Sequence, residues 1–193
     1  MKSQRRMDKL SRALSLSQPD LTVVLENIHD PHNVSAILRS CDAVGVRKAN
    51  LLYTFENLPK IGKKSSASAY KWVERRSFRR TEDCFDALRG EGFTIAASVV
   101  GPETVSLYDL DLRGKIALVF GNEHRGVSDS IAAGADVNFQ IPMHGMVQSL
   151  NVSVACAITL FEALRQRIAA GDTESSKLSE GDLSRLLDDW SRK

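Results

Sequence analysis

The stretch Ile141-Pro-Met-His-Gly-Met-Val-Gln-Ser-Leu-Asn-Val-Ser-Val-Ala155 leads from a predicted strand into the longest predicted helix of this chain. Pro142 and Gly145 are turn formers, so we expect an irregular loop between the two elements. Exposed backbone groups and methionine side chains in such a loop could enclose a flat, mostly apolar ligand. A simpler interpretation is that Ser149 only caps the helix, because serine is a favoured N-cap residue. Taken alone, the stretch favours this simpler interpretation.

The rest of the sequence predicts strands that alternate with helices. Short apolar runs predict strands at Leu21–Glu26, Ala49–Tyr53, Phe93–Val99, Lys115–Phe120 and Val137–Ile141. Helices are predicted from Asp30-Pro31 to Gly45, and at Thr81–Gly90, Ser128–Ala133 and Asn151–Ala169. The longest predicted loop is Asn57–Ala69. Alternation of this kind indicates an α/β fold with a parallel sheet and helices on both faces.

Both ends of the chain predict short helical extensions of one central domain. The 193 residues fit a single domain, which we place at residues 20–170. Residues 1–19 form a basic extension with an amphipathic helix, and residues 171–193 form an amphipathic C-terminal extension that begins with a capping box at Ser179 and Asp182. Because this tail is acidic, we expect Leu183, Leu187 and Trp190 to dock on the protein, near the N-terminal helix or a partner subunit.

The net charge of +2 conceals an uneven distribution of charge along the chain. Residues 60–80 contain eight Lys and Arg against one acidic residue, and residues 1–20 contain five against two. Such clusters are either a footprint for a polyanion or merely a solvated face. The longest apolar run, Val152–Phe161, is too short to span a bilayer, and no apolar segment of a secretion signal follows the basic N-terminus. We therefore expect a cytoplasmic protein without a membrane segment.

Several common chemical motifs are absent from the sequence. Gly121 and Gly126 have the spacing of a phosphate-binding loop, but Val127 replaces the lysine that the loop requires. No G-x-G-x-x-G pattern follows a predicted strand. His29 and His32 have no cysteine near them, so we expect no metal site. The cysteines occupy apolar helical positions typical of packed core thiols: Cys41, Cys84 and Cys156.

Three polar patches follow predicted strands, where parallel sheets bind ligands. They are Glu26–Val34 with Arg39 on the same helix, Phe120–Glu123, and Ile141–Ala155. Together they closely resemble the three motifs of the SPOUT methyltransferases, in the SpoU or TrmH branch, over a match from about Leu21 to Arg167. This resemblance implies that the C-terminal part of the sheet threads a loop to form a deep trefoil knot, an exception to the ordinary rule against knots.

The resemblance also implies a cofactor, a site and an assembly. The cofactor is S-adenosylmethionine, and the motif positions that would hold it are Gly121, Ile141, Ser149 and Leu150, with Ser98 as an addition at the end of its strand. The reaction is methyl transfer to a ribose 2′-hydroxyl of RNA, and the family's catalytic arginine corresponds to Arg39. The residues that would orient Arg39 and the ribose are Asn33, Glu123, Ser149 and Asn151. Family members work as homodimers through the knot and the last long helix.

The short extensions resemble those of the family members that methylate guanosine 18 in the D-loop of tRNA. The basic residues expected to contact tRNA phosphates are Arg5, Arg6, Lys9, Arg12, Lys63, Lys64, Lys71, Arg165 and Arg167. Two alternatives stay open. One is 2′-O-methylation of ribosomal RNA or of another tRNA position by the same fold. The other is a non-catalytic RNA-binding module. A site that had lost its activity would not need to keep all five polar residues, which are Asn33, Arg39, Glu123, Ser149 and Asn151.

Overall fold

A parallel sheet of seven strands forms the centre of the computed structural model, which describes residues 3–59 and 69–193. The strands are β1 (Leu21–Glu26), β2 (Lys48–Leu52), β3 (Glu74–Phe78), β4 (Thr94–Ser98), β5 (Val105–Ser106), β6 (Ile116–Phe120) and β7 (Val137–Gln140). Their order across the sheet is β3-β2-β1-β6-β4-β7-β5, and every neighbouring pair is parallel. The predicted α/β class is confirmed.

Within the described residues, six α-helices connect or flank the strands. They are α1 (Gln4–Ser15), α2 (Pro31–Ala43), α3 (Thr81–Gly90), α4 (Asp129–Gly134), α5 (Val152–Ala169) and α6 (Glu180–Ser191). The predicted start of α2 is confirmed, because the Asp30 carboxylate accepts a hydrogen bond from the amide N–H of His32 and Pro31 is the first helical residue. Gly45 follows the C-cap residue Val44 with φ of +83°, a conformation that suits glycine.

Two of the strands are not predicted by the sequence pattern. β3 has the sequence Glu-Arg-Arg-Ser-Phe, which lacks the apolar residues of a buried strand. It lies at the edge of the sheet, where charged side chains discourage pairing with other chains. β5 contains only two residues and pairs with β7. Neither strand produces a hydrophobic pattern, because neither is covered on both faces.

Alternate residues of the strands enter two separate hydrophobic cores. On one face, residues such as Val23 and Leu118 pack with residues of α2 and α5, including Ile37 and Leu160. On the opposite face, Val24 and its neighbours pack with α3 and α4. The sheet is therefore the middle of three layers, as predicted from its nearly continuous apolar strands.

The three cysteines lie in these cores as free thiols, which confirms the sequence interpretation. Burial raises the pKa of the Cys41 and Cys84 thiols to about 12, so both stay protonated and unreactive near neutral pH.

The two terminal helices form a third, smaller cluster. Leu10 and Leu14 of α1 pack with Leu186 and Trp190 of α6, and Leu183 and Leu187 lie at the margin of this cluster. The Trp190 ring also packs on Trp72, with 4.9 Å between ring centroids. The prediction that the acidic tail docks near the N-terminal helix is confirmed. No helix in the described parts of the chain is long and apolar enough to cross a membrane.

Candidate active site

The three polar patches of the sequence meet at the carboxyl edge of the sheet. β1 and β6 are neighbours with Leu25 paired to Phe120, so the segments that follow these strands lie side by side. The first of them leads into α2, and the second contains Glu123. The third patch follows β7 and ends at the start of α5, which packs against α2.

Glu123 holds the first turn of α2 in place. Its carboxylate accepts hydrogen bonds from the amide N–H groups of His29 (3.1 Å) and Asp30 (3.3 Å), and from Asn33 Nδ2 (2.8 Å). Burial by itself raises the pKa of the Glu123 carboxyl, but these hydrogen bonds and one from its own amide outweigh burial and leave the pKa below its ordinary value. Glu123 is therefore an ionised anchor and not a proton donor near neutral pH.

Asn33 continues this arrangement towards α5. Its side chain is only 8% exposed, and its Oδ1 accepts a hydrogen bond from Asn151 Nδ2 at 3.1 Å. Asn151 Oδ1 in turn accepts hydrogen bonds from the amide N–H and the hydroxyl of Ser153, which makes Asn151 the N-cap of α5. Glu123, Asn33 and Asn151 thus form one hydrogen-bonded relay that joins the three patches.

The simpler interpretation of Ser149 is wrong, since Asn151 caps the helix. Ser149 is exposed within the loop that precedes α5. Among the described residues, no backbone hydrogen bond involves residues 143–150. With respect to the described backbone, the N–H and C=O groups of this loop are available to water or to a ligand, as a cofactor held largely by backbone groups requires.

The other positions predicted to bind a cofactor follow strands that are neighbours in the sheet. Gly121 follows β6, Ser98 ends β4, and Ile141 follows β7, and these strands occupy consecutive positions in the order β6-β4-β7. Ser98, Ile141 and Leu150 are half-buried. Neighbouring parallel strands end at the same edge, so these residues and the open loop border one region of the sheet edge. These half-buried residues beside an open loop fit a bound cofactor at this edge.

Gly121 has a structural role that is visible directly. A Cβ atom at this position would lie 2.1 Å from the Gly126 carbonyl carbon and from the Val127 amide nitrogen. The turn from Gly121 to Val127 closes on itself, with Gly126 at φ of +70° and its N–H donating to the Asn122 carbonyl at 2.8 Å. Only glycine leaves room for this backbone contact.

Two buried asparagines, whose roles the sequence analysis did not assign, brace the loops of the site. Asn27 has φ of +49°, and its Oδ1 accepts the amide N–H of Thr54 at 3.0 Å. Asn122 Nδ2 donates to the Asn27 carbonyl at 2.7 Å. The sequence signal for both is an asparagine within two residues of the end of an apolar strand.

Arg39 lies outside the relay. It is exposed on α2, and its guanidinium has no ion pair or hydrogen bond with any residue that the structure describes. We expected four residues to orient Arg39: Asn33, Glu123, Ser149 and Asn151. Among the described residues, none of them forms a hydrogen bond or an ion pair with the Arg39 guanidinium. What the arrangement offers is an unpaired guanidinium on the same helix that the relay anchors, free to bind an anionic group.

The residues predicted to contact RNA separate into several groups. Those on α1 (Arg5, Arg6, Lys9 and Arg12) are exposed, and so is Lys71. Lys63 and Lys64 lie outside the described residues. Arg165 is exposed, but its guanidinium makes two hydrogen bonds to Glu162, at 2.8 and 2.7 Å.

The prediction for Arg167 is wrong. Its side chain is fully buried, where it forms an ion pair with Asp20 and donates to the carbonyl groups of Leu112 (3.0 Å) and Gly114 (2.7 Å). A guanidinium whose donors are all used inside the protein has none left for a phosphate.

The described residues include no group of three or more His, Cys, Asp or Glu side chains that could hold a metal ion.

Comparison with known proteins agrees with this geometry. The model of the SpoU rRNA Methylase family matches residues 20–161. The tRNA (guanosine(18)-2′-O)-methyltransferase of Thermus thermophilus is 42% identical over 192 residues, which cover 100% of this chain and 98% of the relative. The crystal structure of the TrmH/SpoU tRNA modifying enzyme of A. aeolicus superimposes with a TM-score of 0.91 at 36% identity, covering 98% of this chain and 96% of that one.

A structure with a bound cofactor is also similar. The AdoMet-bound rRNA methyltransferase of Sinorhizobium meliloti superimposes with a TM-score of 0.70 at 26% identity, covering 80% of this chain and 59% of that one. The predicted resemblance to the SpoU branch is confirmed by these comparisons.

Proposed function

Because the chain belongs to the SpoU rRNA methylase family, we propose that it transfers a methyl group to a ribose 2′-hydroxyl of RNA, and that guanosine 18 in the D-loop of tRNA is the target nucleotide. The observation that carries this proposal is the relay of Glu123, Asn33 and Asn151, which anchors the helix bearing the unpaired Arg39. Similarity over the whole chain to a guanosine-18 methyltransferase favours tRNA over ribosomal RNA as the substrate.

Arg39 is the residue that we place at the reacting hydroxyl. A guanidinium stays protonated at any ordinary pH, so it does not act as the base. Its planar fork instead grips the phosphate next to the ribose and stabilises the negative charge that develops on the 2′-oxygen. A phosphate oxygen then accepts the hydroxyl proton. The exposed Ser149 contacts the ribose, while Asn33, Glu123 and Asn151 position the segments around it.

The cofactor that we propose is S-adenosylmethionine, which supplies an electrophilic methyl group when bound. The free backbone groups of residues 143–150 would grip it, and the half-buried Ile141 and Leu150 would cover its apolar parts. Gly121 and Ser98 would border the same region from the neighbouring strands. Isothermal titration calorimetry with S-adenosylmethionine tests this part, and an absence of binding would favour the non-catalytic alternative.

The test of the reaction is methylation of an unmodified tRNA transcript with labelled S-adenosylmethionine, followed by mapping of the labelled nucleotide. We expect label at guanosine 18. Arg39→Ala should lower kcat by at least about 100-fold, on the scale of losing a donor to a developing oxyanion. Arg39→Lys should be impaired as well, since lysine lacks the fork. Arg80→Ala, which removes another exposed arginine, should leave kcat unchanged.

Turnover close to that of the wild type with Arg39→Lys would contradict the role of the fork. Label in ribosomal RNA or at another tRNA nucleotide would support the corresponding alternative.

We also propose a cytoplasmic location for this activity, where tRNA is available.

We further propose that the chain forms a homodimer through a deep trefoil knot and α5. Val154, Phe161 and Ile168 are spaced seven residues apart on α5 and are 46%, 51% and 57% exposed. Seven residues are about two helical turns, so the three side chains form one apolar stripe. Met146 and Val147 in the preceding loop are 99% and 63% exposed. Exposed apolar surface of this extent is typical of a protein interface.

A further inference from the structure

A groove of about 840 Å³ lies between α6 and the chain segment that leads into β3. Its volume is within the range of pockets that bind small ligands or parts of larger ones. The aromatic residues that line it are Tyr70, Trp72 and Trp190, the basic ones are Arg47, Lys71, Arg75, Arg185 and Lys193, and the acidic ones are Glu74 and Asp189.

This groove is separate from the candidate active site. Glu74 is the first residue of β3, so the groove lies at the amino edge of the sheet, beside its outermost strand. The candidate active site lies at the carboxyl edge. β3 has five residues, and at about 3.3 Å per residue the two edges are roughly 17 Å apart.

The charge of the groove is complementary to an anion. Five cationic side chains stand against two carboxylates. Lys71 and Arg75 are exposed, and neither forms an ion pair within the described part of the chain. Arg47 Nε is buried and has no hydrogen-bond partner among the described residues. Arg185 is already paired with Asp182 at 2.8 Å, whereas Lys71 and Arg75 have no such carboxylate partner among the described residues and are the cations that attract an anionic partner.

The aromatic side chains add a second requirement for the ligand. Trp190 is only 6% exposed and supports Trp72, whose ring centroid lies 4.9 Å from its own. Trp72 and Tyr70 are half-buried, so part of each ring lines the groove. Aromatic faces beside unpaired cations are the combination that binds single-stranded nucleic acid, in which bases stack on the rings and phosphates contact the cations.

We propose that this groove binds a single-stranded segment of the RNA substrate, with a base stacked on Tyr70 and Trp72 and adjacent phosphates held by Lys71 and Arg75. The identity of the occupant as substrate tRNA rests on the proposed function. The groove contributes to affinity for the RNA and not to the chemical step, since it is remote from Arg39 and Asn33. An acidic protein segment could pair with Lys71 and Arg75, but it has no bases to stack on Tyr70 and Trp72. We therefore favour RNA as the occupant.

Tryptophan fluorescence reports on this groove directly. The chain contains two tryptophans, Trp72 and Trp190, and both line the groove. Titration of the full chain with an unmodified tRNA transcript should therefore quench the emission in a saturable manner. A tRNA titration that saturates by fluorescence anisotropy of a labelled transcript, but leaves the tryptophan emission unchanged, would overturn the proposal.

Substitutions separate stacking from charge. Tyr70→Ala should weaken tRNA binding about tenfold, whereas Tyr70→Phe keeps the ring and should stay within about twofold of the wild type. Arg75→Gln should make the slope of log affinity against log salt concentration less negative by about 0.7. Arg113→Gln removes an exposed arginine that is paired with Asp111, and it should leave the slope unchanged.

Methylation kinetics on the same variants distinguish the two proposals. Tyr70→Ala and Arg75→Gln should raise KM for tRNA and leave kcat unchanged. If the wild type methylates guanosine 18 and neither substitution changes tRNA affinity or KM, the groove proposal fails and the proposed function stands. If the wild type methylates no RNA, the proposed function fails. The quenching of tryptophan emission and the salt dependence of tRNA affinity still decide whether tRNA binds in the groove.

Discussion

Single polar residues at the ends of the strands decide the shape of the site. Glu123 and Asn33 are 90 residues apart in the sequence, yet their hydrogen bond ties the start of α2 to the turn after β6. Asn33 then accepts a hydrogen bond from Asn151, the N-cap residue of α5. Glu123 uses both carboxylate oxygens, and Asn33 and Asn151 each use the amide oxygen and nitrogen for a specific partner, so the relay tolerates little substitution.

The ionised state of Glu123 makes part of the stability depend on pH. Its pKa is lower in the folded chain than its ordinary value, so its contribution is present above that value and is lost as the pH falls through the folded pKa. Asn33→Ala removes one donor, and we expect the pKa of Glu123 to rise towards its ordinary value. We also expect a loss of about 1 kcal/mol in the free energy of unfolding at pH 7.

Carbon-13 NMR titration of the Glu123 carboxyl, together with urea unfolding at pH 7 and pH 4, measures both effects. Asn57→Ala is the control, because Asn57 is exposed and is not among the residues that donate hydrogen bonds to Glu123. An unchanged pKa of Glu123 in Asn33→Ala would show that the amide of Asn33 does not stabilise the carboxylate.

Arg167 and Arg165 are neighbours on α5 with opposite surroundings. Arg167 is fully buried and bonded to Asp20 and to backbone carbonyls, whereas Arg165 is exposed beside Glu162. Arg167→Ala should lower the free energy of unfolding by about 3 kcal/mol, since it leaves several buried acceptors without a donor. Arg165→Ala should cost much less, because an exposed ion pair contributes little to stability. Urea unfolding distinguishes them, and equal costs would contradict the structural role of Arg167.

The helices α1 and α6 pack against each other, although they lie at opposite ends of the chain. Their shared cluster of Leu10, Leu14, Leu186 and Trp190 is separate from the two cores of the sheet. The cap of α6 is local, because Ser179 accepts the amide N–H of Asp182 as the capping-box pattern predicts. The position of the helix, in contrast, depends on α1 and on the Trp72 side chain.

Loss of packing in this cluster should loosen α6 selectively. Leu14 is fully buried, and Leu14→Ala should cost about 3 kcal/mol and speed amide hydrogen exchange across Glu180–Ser191 more than in β6. Leu16→Ala is the control, because Leu16 is 47% exposed. Hydrogen exchange followed by mass spectrometry gives the comparison. If exchange rises equally in α6 and β6, the helix pair is not a separate unit of stability.

The assembly of the whole molecule is expected to follow from the apolar stripe on α5. Val154, Phe161 and Ile168 expose more apolar surface than a solvated helix needs, so we propose that a second copy covers them.

Phe161→Glu places a charge in this stripe and should convert the dimer into a monomer in sedimentation equilibrium. Tyr108→Glu introduces the same charge at another exposed aromatic residue, which is 56% exposed, and should leave the dimer intact. A wild-type chain that sediments as a monomer at micromolar concentration would refute the dimer, and so would a Phe161→Glu chain that remains dimeric.

The sequence by itself determined the local elements and the residue types of the site. The apolar run of β1, the Asp30-Pro31 start of α2 and the capping box of α6 act over a few residues, so their patterns are readable without a fold. The resemblance to the SpoU motifs also singled out Asn33, Glu123 and Asn151.

Only the tertiary structure decided which of these residues meet and which charges are buried. The bonds of Asn33 span 90 and 118 residues, and they depend on the order in which β1, β6, β4 and β7 lie side by side. Arg167 looked like a surface cation because no local pattern shows that Asp20 and the carbonyl groups near Leu112 surround it. Hydrophobic period and capping are short-range effects, whereas pairing of polar groups is settled by strand order and packing across the whole sheet.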